Sequence, residues 1–112
     1  MPDEQEMISI KEYGRVDIRI GEIKSAVPVE GADKLFRIEV DIGGEVRQTV
    51  AGIRPWYDAA SLVGRKVVFL ANLQPAKIRG VESLGMILAA EDGESISLLQ
   101  PDRDIKNGAR IR

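Results

Sequence analysis

No stretch of this sequence sustains the 3.6-residue apolar period of a long amphipathic helix, whereas several short stretches alternate with period two. A sheet made from such strands has an apolar face and no long helix to cover it. It must therefore curl and cover itself. Residues 36–42 alternate most cleanly, with Phe36, Ile38, Val40 and Ile42 on one side and Arg37, Glu39 and Asp41 on the other. Gly43-Gly44 then predicts a hairpin turn into a strand over 46–53. Val16, Ile18 and Ile20 alternate with Asp17 and Arg19 as in a half-buried strand, and the phase slips before Ile23, so a bulge or bend is expected at Gly21. Residues 67–73 are nearly all apolar, as for a strand covered on both faces. Two more short strands are expected over 85–90 and 95–99, around a turn at Asp92-Gly93.

Helix signals are few. Ser9 and Glu12 have capping-box spacing for one turn before Gly14. Pro55 predicts the start of a short helix closed by Gly64, with Leu62 and Val63 on its buried side. Trp56 and Tyr57 either pack that helix onto the barrel mouth or offer a stacking platform. This element order, with a bent first strand and a short helix between the third and fourth, points to a mainly β fold. The closest architecture is an OB-fold Greek-key barrel with short helices and a C-terminal β extension. A chain of 112 residues makes one such domain. The expected division is an arm or linker remnant over 1–8, the barrel over 9–92 and a C-terminal extension over 93–112.

Two zeros narrow the chemistry: there is no His and no Cys. Ser-His-Asp and Cys-His catalysis, thiol redox chemistry and Cys/His zinc sites are excluded. Only Asp/Glu sites for hard cations remain open, and no metal or cofactor is expected. No apolar run approaches the roughly 20 residues that span a bilayer, and the acidic start of the chain is unlike a secretory leader. The expectation is a cytoplasmic protein with no membrane partner. Net charge is −2, but unevenly spread: residues 1–46 sum to −5, residues 47–81 to +5 and residues 82–112 to −2. A basic middle between acidic ends can fold into a basic face.

The densest punctuation falls in 72–86. Pro75 ends a strand or marks an edge. If 76–79 is extended, Lys77 and Arg79 share one surface and Ile78 points into the core. Gly80 and Gly85 permit turns or the close approach of a sugar-phosphate chain. Lys and Arg suit phosphates, while Asn72 and Ser83 can bond bases or riboses. Each residue also has a plain structural reading: a solvated face for the Lys-x-Arg pair, turn-forming for Asn72, turn-capping for Ser83, core packing for Met86.

The run Asn72-Leu-Gln-Pro-Ala-Lys-Ile-Arg-Gly-Val-Glu-Ser-Leu-Gly-Met-Ile-Leu-Ala-Ala90 closely resembles the signature of a tRNA-binding domain family. That domain occurs at the C-terminus of methionyl-tRNA synthetases, as a separate synthetase β chain and as free-standing tRNA-binding proteins. Three further segments match in order: Val16-Asp-Ile-Arg-Ile-Gly21; Ala32-Asp-Lys-Leu35 with Val40-Asp41; and Arg47-Gln48 with Val50-Ala-Gly-Ile53. The resemblance spans about residues 9–111. It implies an OB-fold that binds tRNA by shape at the outer corner of the L and does not itself aminoacylate. It also implies service to a methionyl-tRNA synthetase in cis or in trans. By motif position it assigns tRNA binding to Lys34, Asn72, Lys77, Arg79, Ser83 and Met86. It implies a homodimer too, with a tail like 93–112 helping to form the interface.

The sequence departs from the family at three places. The loop before Ala32 lacks the usual His-Pro pair and carries Glu30; Ala51 stands where Ser is common; Gln74 replaces a usual Lys. An affinity at the weaker end for the family is expected. The alternative is a protein-binding module of the same fold, either chaperone-like or a synthetase-complex scaffold. The Pro-x-Lys-x-Arg-Gly segment argues against it, because the chaperone branch lacks the full pattern. Catalysis without His or Cys would rest on carboxylates or Lys. Glu39, Asp41, Glu91, Asp92 and Glu94 fall on outward faces or turns, so a non-enzymatic binding role is expected.

Overall fold

A computed structural model of the chain describes residues 6–112. Of the arm expected over 1–8, residues 1–5 lie outside the described ones. Ser9 caps helix α1 (Ile10–Tyr13) through the expected capping box with Glu12. The strands are β1 (Ile18–Pro28), β2 (Phe36–Asp41), β3 (Val46–Ala51), β4 (Lys66–Leu70), β5 (Ala76–Ile78), β6 (Val81–Ser83), β7 (Met86–Ile87), β8 (Ala89–Glu91) and β9 (Ile96–Leu98). Helix α2 (Ala59–Leu62) lies between β3 and β4.

Five strands form one antiparallel sheet in the order β3-β2-β1-β4-β7; β5–β6 and β8–β9 are separate hairpins. The long β1 makes the curl possible. Its first half, 18–22, pairs with β4 and its second half, 22–28, with β2. The open edge of β3 then folds over onto the segment after β6. Leu84 N–H donates to Gln48 O at 2.8 Å, and Thr49 Oγ1 donates to Gly85 O at 2.8 Å. The result is a nearly closed, OB-like barrel, as the alternation required. Its core is Ile23, Phe36, Ile38, Val40, Ile42, Ile53, Val67, Phe69, Ala71, Ile87 and Leu98, with Leu62 of α2 packed among them.

Several local expectations are corrected. The register of β1 shifts between Ile23 and Ser25, not at Gly21. Gly21 answers to packing: a Cβ there would stand 2.4 Å from Val40 Cγ1. Because Gly21 and its partner Val67 face the core, Ile18 and Ile20 face outward, opposite Leu70 and Val68. The apolar residues on both faces of β4 are therefore real, but the outer set is only half-buried. Helix α2 begins at Ala59 rather than Pro55, which sits in a turn where Trp56 N–H donates to Ile53 O at 3.0 Å. Val63 has already left the helix, with ψ of 129°, and is exposed. Tyr57 packs as expected, accepting from Leu98 N–H at 3.0 Å and lying under Arg65, but Trp56 is exposed.

The β5–β6 hairpin lies off the barrel, so Ile78 is 37% exposed rather than in the core. Lys77 and Arg79 do not share a strand face. β5 ends at Ile78, and Arg79-Gly80 forms the two-residue turn facing Ile78↔Val81. The extension over 93–112 is β only at β9 and at a single bridge, Arg19↔Arg110. There it fills the edge of β1 that β2 leaves open: Ile20 N–H donates to Ala109 O at 2.9 Å and Ile111 N–H to Ile18 O at 2.8 Å.

Candidate nucleic-acid interface

The positive middle of the sequence is sorted by the fold into used and available charge. Arg47 pairs with Glu45 at 2.7 Å, and Lys66 pairs with Asp104 at 3.1 Å. Arg65 lies over the Tyr57 ring and donates to Ser61 O. Arg54, Lys77 and Arg79 remain, and none of them pairs with a carboxylate among the described residues.

These three gather near Lys34, which comes from the acidic first third of the chain. Residues 29–35 form the loop between β1 and β2, held by Ala32 N–H on Val29 O and Leu35 N–H on Ala32 O. Arg54 clamps that loop from the far end of β3: its Nη1 donates to Ala32 O at 2.9 Å and its N–H to Lys34 O at 3.3 Å. The Arg54 guanidinium also rests 5.8 Å from the Phe36 ring centroid. The side chains of Lys34 and Arg79 line one cleft of about 450 Å3 with Gly31, Ala32, Asp33 and Leu35. Lys77 stands two residues away on the same exposed hairpin. The cleft thus sets one flexible ammonium group and a guanidinium at a hairpin tip beside the Asp33 carboxylate, and the Lys77 ammonium stands outside it two residues from that tip. Such a set neutralises phosphate oxygens and carries no base code.

The other sequence-assigned residues lie elsewhere. Met86, 43% exposed, lines an apolar groove beside β3. Ser83 is buried; its hydroxyl lies 3.1 Å from Thr49 Oγ1 and accepts from Val50 N–H at 3.3 Å. It fastens β6 to β3. Asn72 sits next to α1. Its Oδ1 accepts from Asp17 N–H at 2.8 Å and its Nδ2 donates to Arg15 O at 2.6 Å, so both ends of the amide are engaged. Gly80, at φ 78°, serves the hairpin turn. Gly85 makes room for the chain's own Phe69, whose ring would lie 2.3 Å from an added Cβ.

Arg54 was missed in the sequence. It counted only towards the basic segment, because its partners are a carbonyl 22 residues away and a ring on another strand. Among the described residues no three Asp or Glu side chains gather to hold a metal ion. No described helix is long and apolar enough to cross a membrane.

Residues 18–110 match the family described as the putative tRNA binding domain. The chain is 49% identical over 111 residues to a methionine–tRNA ligase of Pyrococcus furiosus, covering 97% of this chain and 15% of that protein. The corresponding ligase of Haloarcula marismortui is 52% identical over 108 residues, covering 96% of this chain and 15% of the ligase. The chain therefore spans about a seventh of the length of such relatives. Among solved structures, a MetRS-related protein from Pyrococcus horikoshii superposes with a TM-score of 0.90 at 32% identity, over 96% of this chain and 99% of that one. The chaperone CsaA of Bacillus anthracis superposes with a TM-score of 0.86 at 27% identity, over 95% and 99% of the two chains. With an OB-like barrel, a cleft of unpaired cations and a family match over nearly its whole described length, the chain belongs to the tRNA-binding domain family.

Proposed function

We propose that this chain binds tRNA and raises the tRNA affinity of a methionyl-tRNA synthetase, in cis or in trans, without catalysis of its own. The observation that carries the reading is the set Lys34, Arg54, Lys77 and Arg79, left unpaired by carboxylates among the described residues and gathered at one end of the barrel. Lys34, Lys77 and Arg79 meet phosphates and Met86 meets an apolar part of the RNA. Asn72 and Ser83 act by positioning, since their polar atoms are already bonded within the chain. A tether of this kind works by effective concentration, so modest affinity suffices. The setting is the cytoplasm, where tRNA is charged. The likeness to CsaA brings the protein-binding alternative into the same test.

A homodimer belongs to this proposal. Its support is an apolar outer face: half-buried Ile18 of β1 and Leu70 and Val68 of β4, flanked by exposed Met7, Ile8 and Ile10 at α1 and by the tail at Ile111, with Ile20 on the same face already buried within the chain. This face lies on β1–β4, away from the Lys34 and Arg79 cleft on the β1–β2 loop and β5–β6 hairpin. A dimer would present two basic clefts to one RNA.

The test is a gel shift with folded tRNA, the same tRNA unfolded, and duplex DNA. The double variant Lys77→Ala/Arg79→Ala is expected to bind folded tRNA at least tenfold more weakly, at roughly one released counterion per lost contact. Equal binding by wild type and double variant would sink the tRNA reading.

A further inference from the structure

Two clefts lie one side chain apart, with Leu35 at the wall of one and Gly52 at the wall of the other. One is the basic cleft of about 450 Å3 that holds Lys34 and Arg79. The other is an apolar groove of about 340 Å3 between the end of β3, residues 50–53, and residues 86–89 of β7 and β8. Leu35 lines the first and Gly52 the second; an atom at the Gly52 Cβ position would lie 3.7 Å from Leu35 Cδ2 and 3.9 Å from Lys34 O. One side chain's thickness separates them. No charged residue lines the apolar groove.

A ligand that satisfies both clefts carries an anion and, a few ångströms away, a flat body that prefers to leave water. A nucleotide with its base unstacked has that form. A duplex does not, because its bases are stacked on one another and only phosphates and riboses face outward. An apolar peptide would fill the groove but leave the neighbouring cleft net positive, with Lys34 and Arg79 against the single carboxylate of Asp33. Resting on the RNA reading above, we propose that the groove takes one unstacked nucleobase while Lys34 and Arg79 hold its phosphate. The chain then recognises an unpaired nucleotide rather than a helix. The groove offers aliphatic side chains and the pliable thioether of Met86, so recognition is tolerant of base identity.

Gly52 supplies the test. A Cβ there makes ordinary van der Waals contacts and its backbone is not left-handed, so Gly52→Ala is unstrained. Gly52→Leu adds bulk at the groove without changing charge. Two RNAs with equal numbers of phosphates are compared: a short hairpin with an open loop, and a fully paired duplex. Wild type is expected to prefer the hairpin about tenfold, the scale of one base contact. Gly52→Leu should lose that preference, bind the duplex as wild type does and keep its salt dependence; Gly52→Ala should behave like wild type. Independently of any variant, 2-aminopurine at the unpaired position should change its emission on binding to wild type, and the same base inside the duplex should not.

Equal affinity of wild type for hairpin and duplex overturns the proposal. So does a Gly52→Leu chain that melts like wild type and either keeps the preference or weakens both RNAs alike. Binding of an apolar peptide that Gly52→Leu abolishes and hairpin RNA does not displace would assign the groove to a protein partner instead. If wild type binds folded tRNA but neither short RNA, this inference fails and the tRNA reading stands; if it binds none of the three, both fail.

Discussion

Asp17 joins three segments of the chain. Its carboxylate accepts from Arg19 Nε and Nη2, both at 2.9 Å, and lies 3.9 Å from Arg110 of the tail. Its carbonyl accepts from Ala71 N–H at 2.7 Å, and its N–H donates to Asn72. The hydrogen bond from Arg19, helped by the charges of Arg19, Arg110 and Arg47, holds the carboxyl below its ordinary value of 3.8, against a smaller opposing effect of burial. A carboxylate depressed on folding stabilises the protein fully above its unfolded value and loses that contribution as pH falls through the folded one. The two-pronged pair is half-exposed and is worth about 1 kcal/mol. Asp17→Asn should therefore lower the denaturation midpoint at pH 7 and make little difference near pH 2, where wild type has lost the same ion pair. Urea titrations at the two pH values check this; an equal gap at both would refute the charge account and leave only packing.

The β5–β6 hairpin shows what one element does for the site. Its turn residues, Arg79 and Gly80, have φ of 53° and 78°, and Arg79 is the one non-glycine with positive φ among the described residues. A two-residue turn of this shape favours Asn-Gly, and a left-handed Arg costs about 1 kcal/mol. The strain holds a guanidinium at the tip, over the Lys34 loop. Arg79→Asn should relax the turn and slow hydrogen exchange of the hairpin amides, yet weaken tRNA binding; faster exchange in the variant, or an unchanged affinity, would rule this out. The hairpin also shows why parts of the sequence were legible and parts were not. β2 and its Gly43-Gly44 turn were readable because one face of β2 is buried and the other is wet, which alternation records directly. Alternation cannot say which face points inward, so Ile18 and Ile20 were readable as a stripe but not as an outer one. Ile78 followed the same rule on an element that has no core beneath it. At the site, Lys34, Lys77 and Arg79 came from motif positions, whereas the Arg54 clamp depends on a contact between distant segments that no local pattern carries.

At the scale of the molecule, the outer apolar face and the basic cleft lie on different elements, so the proposed dimer can be tested without touching the cleft. On the proposed reading each chain sets Lys34, Lys77 and Arg79 against phosphates, while Arg54 holds the loop. Three contacts give a slope of log affinity against log salt of about −2.7, or roughly 40-fold lost between 50 and 200 mM; six contacts on one RNA double the slope and lose on the order of 10³-fold. Val68 is half-buried on the outer face of β4, opposite Ile20, and takes no part in the barrel core. A carboxylate there would be buried without a partner in a dimer and only partly screened in a monomer, so Val68→Asp should separate the two. The expected result is a 12.3 kDa species in size exclusion that melts cooperatively, binds tRNA more weakly and shows half the wild-type salt slope. A folded monomeric variant with the full slope would mean that one chain makes all the phosphate contacts. A wild type that already elutes at 12.3 kDa would remove the dimer and fix the contact number at one cleft. The slope thus counts chains on the RNA, and Val68, which touches no part of the basic cleft, is the place from which to change that count without changing the charge that binds.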